Sequence, residues 1–227
     1  MGAEHAVVAL VTIGLAPLLP EYAVLRPVNR FGPCSTGLAQ TPVDEVLCGV
    51  CFSAAESDGM NVTYFTQPLF LPGIELQLTP VRAKPIAESH GGDDEEWLTT
   101  FGEEIRTQIA VACRASGSPE RILRGSRVSR YDDPVAYAID LETCGLAAVL
   151  LGSMDEASDY FTAVASIGVS RWLLDDDAEE LRAIQEQTAT FINWLANDPS
   201  MLVSQMTAWR EQHLSEWGLL ETVKRVE

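Results

Sequence analysis

The chain is short of positive charge. Fifteen lysines and arginines stand against 33 aspartates and glutamates, a formal net charge of −18 at pH 7. That balance disfavours non-specific attraction to nucleic acid or to an anionic membrane surface. It suits solubility and a partner with a basic face. No apolar run reaches the ~20 residues that a spanning helix needs. The longest, AVVALVTIGLAPLLP at 6–20, carries no basic leader and reads as a buried helix ending near Pro17 or Pro20.

Signatures of catalysis are also missing. There is no phosphate-binding loop, no dinucleotide-binding G-x-G-x-x-G and no G-x-S-x-G nucleophile elbow. Histidine is scarce, with His5, His90 and His213 scattered along the chain, so no zinc-like ligand set is visible. No cofactor is expected. The five cysteines are odd in number and spread through apolar segments, which reads as buried thiols in a reducing, cytoplasmic setting rather than a disulfide framework. The Cys48–Cys51 pair is spaced like a redox or metal motif. On a strand, however, residues three apart point to opposite faces, so the two sulfurs should diverge.

What is present is an apolar content of 47%, enough for a real core. Strand periodicity organises Glu45 to Val81. Val46, Cys48, Val50 and Phe52 share one face by period two, as do Met60, Val62 and Tyr64. Ile74, Leu76 and Leu78 alternate with Glu75, Gln77 and Thr79, which predicts a sheet with one buried face and one facing water or a partner. Short turns imply an antiparallel meander. Tyr22 to Val28 is a further strand, with Pro27 placing it at an edge. Arg30 through Pro42, rich in Gly, Pro, Ser and Thr, reads as a loop.

Helical spacing then takes over. Trp97, Phe101, Ile105, Ile109 and Ala112 form one stripe, and the helix should end near Ser116-Gly117. A helix resumes at Pro134. Another opens at Asp177 with Glu180, and its inner face is Leu181, Ile184, Thr188, Phe191, Ile192 and Leu195. Asp198 caps the last, whose stripe is Leu202, Met206, Trp209, His213 and Trp217. The fold class is α+β: a small meander of three or four strands covered by an N-terminal helix, then a bundle of about five helices. Residues 1–92 would hold helix and sheet, and 93–227 the helical region. The 82–94 linker allows the two to pack together or stand apart.

The charged groups have both functional and structural readings. Acids at 93–96 and 175–180 suit helix N-termini, and His90 beside Asp93 and Asp94 reads as a solvated loop. Arg121, Arg124, Arg127 and Arg130 recur every third residue after Arg114, with Glu120 the one acid among them. Period three would line them along one edge of an extended or 3₁₀ segment. They are candidates for binding an anion or an acidic partner. Alternatively they pair internally with acids such as Asp132 and Asp133. Trp209, His213 and Trp217 are candidate apolar anchors for a protein partner. His213 between two tryptophans also fits a core position, with Glu216 in reach of its ring.

Two segments carry resemblances. AAVLLGSMDEASDYFTAVA, at 147–165, resembles the middle of a tetratricopeptide repeat, with Leu151-Gly152 and Asp155-Glu156-Ala157 followed by Tyr160 and Phe161. No second copy follows at the ~34-residue period, so it implies one helical hairpin rather than an array. Tyr64 to Pro72, with FTQPLFLP, resembles small bacterial α+β proteins, some encoded beside toxin or phage-defence genes. That resemblance implies a non-catalytic, cytoplasmic protein-binding component, an immunity or accessory protein. It would use its acidic surface against the basic face of another protein, without direct nucleic-acid or membrane binding. An enzyme with a carboxylate site invisible in sequence, or a structural subunit of a larger assembly, are the alternatives. Oligomeric state has no sequence signal.

Overall fold

The computed structural model describes residues 3–25, 36–54, 60–72, 95–125, 133–168 and 174–220. Helix α1 (Ala3–Ala9) runs into a π-helical turn (Leu10–Leu15) and a 3₁₀ turn (Ala16–Leu18). Pro17 has no N–H to donate, and the Ala16 N–H reaches back five residues to the carbonyl of Val11, so the helix changes pitch just before the proline. Val7, Val11, Leu15 and Leu19 are buried, while Ile13 points outward and is 77% exposed.

Four strands follow: β1 (Tyr22–Leu25), β2 (Thr36–Gln40), β3 (Val46–Ala54) and β4 (Met60–Pro68). They form one antiparallel sheet in the order β1-β2-β3-β4. The meander and the α+β class are as the sequence predicts. Thr36–Gln40 is a correction, because the composition there reads as a loop. The strand forms because both its edges are paired: Leu38 lies opposite Val24 on one side and Val50 on the other. Its glycine has a packing reason. A Cβ on Gly37 would stand 2.9 Å from Leu25 Cδ1, and one on Gly49 of β3 would stand 2.7 Å from Phe65 Cζ. Neighbouring side chains fold over both glycines.

The sheet is covered on both faces at β3, while Asn61 and Thr63 of β4 are half-buried. On the first face, Leu38, Cys48, Val50, Phe52, Met60, Val62 and Tyr64 form a core with Val7, Val11, Leu15 and Leu19, and with Phe101, Ile105 and Ile109 of α2 (Glu95–Ser116). Those three α2 residues are the stripe the sequence predicts. Burying such side chains contributes roughly 1.5–3 kcal/mol each. On the second face, Leu25, Ala39, Leu47, Cys51, Phe65 and Leu69 pack with Leu214, Trp217 and Leu219. β3 is therefore apolar on both sides, from Val46 to Phe52. The predicted strand at Ile74–Leu78, with Glu75, Gln77 and Thr79, lies outside the described residues.

Beyond α2 come α3 (Pro119–Gly125), α4 (Pro134–Leu150), α5 (Met154–Ala165), α6 (Asp175–Asn197) and α7 (Pro199–Glu216). α6 opens at Asp175, two residues ahead of the predicted start. α7 opens at Pro199, and Asp198 Oδ1 accepts the Ser200 N–H at 3.2 Å.

Contacts divide the chain into two compact units that do not follow the expected boundary at 92/93. One holds the chain up to Leu69, α2, and the end of the chain from Arg210. The other holds Phe70–Pro72 and Ser118–Trp209. The chain thus passes from the second unit back into the first within α7.

Candidate functional site

The arginine row begins in the helical unit. Ser118 starts α3: its carbonyl accepts from the N–H groups of Arg121 and Ile122 at 3.1 and 3.0 Å, and Pro119 occupies the first turn. Residues 119–125 are thus α-helical, which corrects the extended or 3₁₀ reading for this part of the row. Arg121 and Arg124 fall about one turn apart, and both are exposed. Arg127, Arg130 and Asp132 lie outside the described residues, as do His90, Asp93 and Asp94. Asp133 has a capping role: its Oδ1 accepts from Val135 N at 2.9 Å and Ala136 N at 3.1 Å, at the N-terminus of α4.

α4 and α5 form a helical hairpin. Gly152, at φ 75°, ends α4, with its N–H on the Val149 carbonyl and the Ser153 N–H on that of Ala148. This is a Schellman closure, and the positive φ suits glycine there. Phe161 of α5 lies over Gly145 of α4, where a Cβ would come within 2.3 Å of its ring. Phe161 continues into an aromatic cluster with Phe191, Trp194 and Trp209.

The outer surface of α5 and α6 is acidic. Asp155, Glu156 and Asp159 of α5 are all exposed, and so are Asp175, Asp176, Asp177, Glu179, Glu180 and Glu186 of α6. Arg182 is the sole basic residue within these two helices. The first-turn acids also complement the helix dipoles.

One carboxylate behaves differently. Glu142 of α4 is 7% exposed, and its Oε1 and Oε2 accept from Gln187 Nε2 at 2.8 Å and Thr188 Oγ1 at 2.7 Å. Burial pushes its pKa up to about 7, only partly opposed by the Thr188 and Gln187 hydrogen bonds. Sequence reading passes over Glu142. The available signal is positional: it sits among Ala138, Leu141, Gly145 and Leu146, all buried on the same helix.

Trp209, His213 and Trp217 are not a shared exposed surface. Trp209 is half-buried against Phe191, with ring centroids 5.9 Å apart. His213 and Trp217 are buried and stacked on each other at 5.3 Å, and Trp217 belongs to the second-face core of the sheet. Arg210, one turn earlier, donates to the Val43 carbonyl and pairs with Glu45 at 3.7 Å. Glu45 is raised by burial, with Arg210 pulling the other way. These residues anchor the end of the chain, so Trp217 and His213 correct the expectation of partner-facing anchors.

Cys48 and Cys51 do diverge. Cys48 enters the first-face core and Cys51 the second. Cys48 is not an isolated thiol, however. It is joined to Cys113 of α2 as a disulfide, with Cα atoms 5.9 Å apart. This corrects the reading of the cysteines as separate thiols: the partner is 65 residues away in sequence, and only the packing of α2 on β3 reveals it. Cys51 and Cys144 are buried, and Cys34 lies outside the described residues. Among the described residues no group of three or more His, Cys, Asp or Glu is placed to hold a metal ion, and no helix is long and apolar enough to cross a membrane. Comparison with protein-family models, curated proteins and solved structures finds no match to this chain.

Proposed function

We propose that this chain is a non-catalytic protein-binding component, an immunity or accessory protein of a bacterial toxin or phage-defence system, that acts in the cytoplasm through its acidic surface. The observation that carries this reading is the charge layout of α5 and α6, whose every carboxylate is exposed while their larger apolar side chains, such as Phe161, Val164, Leu181 and Phe191, are buried. A surface of one sign speeds encounter with an oppositely charged face and repels wrong partners. Arg121 and Arg124 on α3 add a small basic point that an acidic loop or phosphate of the partner would meet.

The test begins with the gene neighbourhood and with recovery of the partner from the native host. With the partner purified, binding is measured from low to high ionic strength for the unaltered chain and for a variant carrying Asn or Gln at Asp175, Asp176, Asp177, Glu179 and Glu180. The proposal expects affinity that falls with salt, and a variant that binds at least about tenfold more weakly with a shallower salt slope. Equal affinity and slope for both proteins would remove the acidic surface from the account. Replacing Arg121 and Arg124 by Ala asks the same of the basic point.

A further inference from the structure

We propose that Cys48 and Cys113 are a reversible thiol–disulfide pair that fastens α2 to the sheet when oxidised and leaves it held by packing alone when reduced. Two structural observations support both states. First, the Cα separation of 5.9 Å lies within the range that disulfides span. Second, Cys113 Sγ lies 3.1 Å from Gln40 Oε1. A disulfide sulfur carries no proton, so this contact is a hydrogen bond only for the thiol. The oxidised state has the bond to Cys48, and the reduced state has an acceptor already in place.

Access sets the order of events. Cys48 is 5% exposed inside the first-face core. Cys113 is half-buried at the margin of that core, one turn beyond Ile109, and Gln40 beside it is exposed. Cys113 is therefore the sulfur that solvent reaches. Cys51 belongs to the opposite face and is not positioned as a resolving thiol.

The oxidant is a low-molecular-weight disulfide. The Cys113 thiolate attacks one of its sulfurs and expels one thiolate. The Cys48 thiolate then attacks Cys113 Sγ in the mixed disulfide and expels the second. Two protein thiols lose two protons and two electrons, and one small disulfide becomes two small thiols. Reduction is the same sequence reversed. With the bridge open, Phe101, Ile105 and Ile109 still hold α2 on the sheet, so the change is in the strength of attachment rather than in the fold.

The full chain is equilibrated in glutathione and glutathione-disulfide buffers from fully reducing to fully oxidising, then acid-quenched, alkylated and mapped by mass. The expected result is a Cys48–Cys113 linked peptide that appears and disappears in one reversible transition. Thermal unfolding should occur on the order of 10 °C higher at the oxidising end. Cys113→Ser should melt alike in both buffers, and Gln40→Leu should move the transition toward the disulfide by about two- to fivefold. Absence of the linked peptide at the oxidising end would overturn the proposal. So would a bridge that no buffer opens in the native protein, or equal melting of the unaltered chain at both ends. If Cys113→Ser does not fold, the linked peptide and melting of the unaltered chain decide alone.

Discussion

Glu142 and Thr188 meet between α4 and α6, with the Thr188 hydroxyl donating to a carboxylate that is 7% exposed. Gln187 donates to its other oxygen. The pair shows how the helical unit handles a polar group inside its core: two neutral donors and no cationic partner among the causes of its shift. Neutral donors satisfy the oxygens but do not offset the cost of burying the charge, so the proton stays on to an unusually high pH.

The pH dependence follows from that. The folded pKa of Glu142, about 7, lies above its ordinary value of 4.5. Its stabilising contribution is fully present below the unfolded value and is lost as pH rises through about 7. Over that window the unaltered protein should lose on the order of 3 kcal/mol that a Glu142→Gln variant does not lose. Urea midpoints of both proteins at a series of pH values check this; curves that stay parallel from acid to alkaline pH would contradict it.

Gly145 and Gly102 should respond oppositely to alanine. A Cβ on Gly145 meets the Phe161 ring at 2.3 Å, and Phe161 is fully buried, so Gly145→Ala should cost about 1–3 kcal/mol. A Cβ on Gly102 of α2 finds its nearest neighbour, Leu19 Cδ2, at 3.7 Å. Gly102→Ala should therefore stabilise by about 0.5–1 kcal/mol through helix propensity. Thermal and denaturant unfolding of the two variants gives the signs directly.

Asp133 holds the start of α4. Asp133→Ala should destabilise by about 1 kcal/mol, while Asp133→Asn, which keeps the acceptor, should be close to neutral. Equal losses for both would mean that the charge, through the helix dipole, matters more than the cap. Amide hydrogen exchange at Val135 and Ala136 localises the effect.

Trp217 is predicted to act on folding before binding. Its side chain is fully buried against the sheet, so Trp217→Ala should cost about 3–5 kcal/mol. A Trp217→Ala protein with unaltered stability would place this residue outside the core.

Local pattern alone determined much of this protein. The α2 stripe of Phe101, Ile105 and Ile109, the alternation that sends Cys48 and Cys51 to different faces, and the Asp198-Pro199 start of α7 are all set by neighbours within a turn or a strand. Periodicity specifies such features because it fixes which side chains share a face. The acidic excess and the acidic start of α6 were equally legible, but the exposure of every carboxylate on α5 and α6 was not. Tertiary structure alone decided the rest. β2 forms because β1 and β3 offer partners on both edges, and composition says nothing of partners. The second face of β3 closes because the chain returns at Leu214, Trp217 and Leu219, more than a hundred residues later in sequence. Cys113 finds Cys48, and Thr188 finds Glu142, across 65 and 46 residues. These pairings depend on which surfaces pack together. A one-dimensional pattern specifies each surface but not its partner.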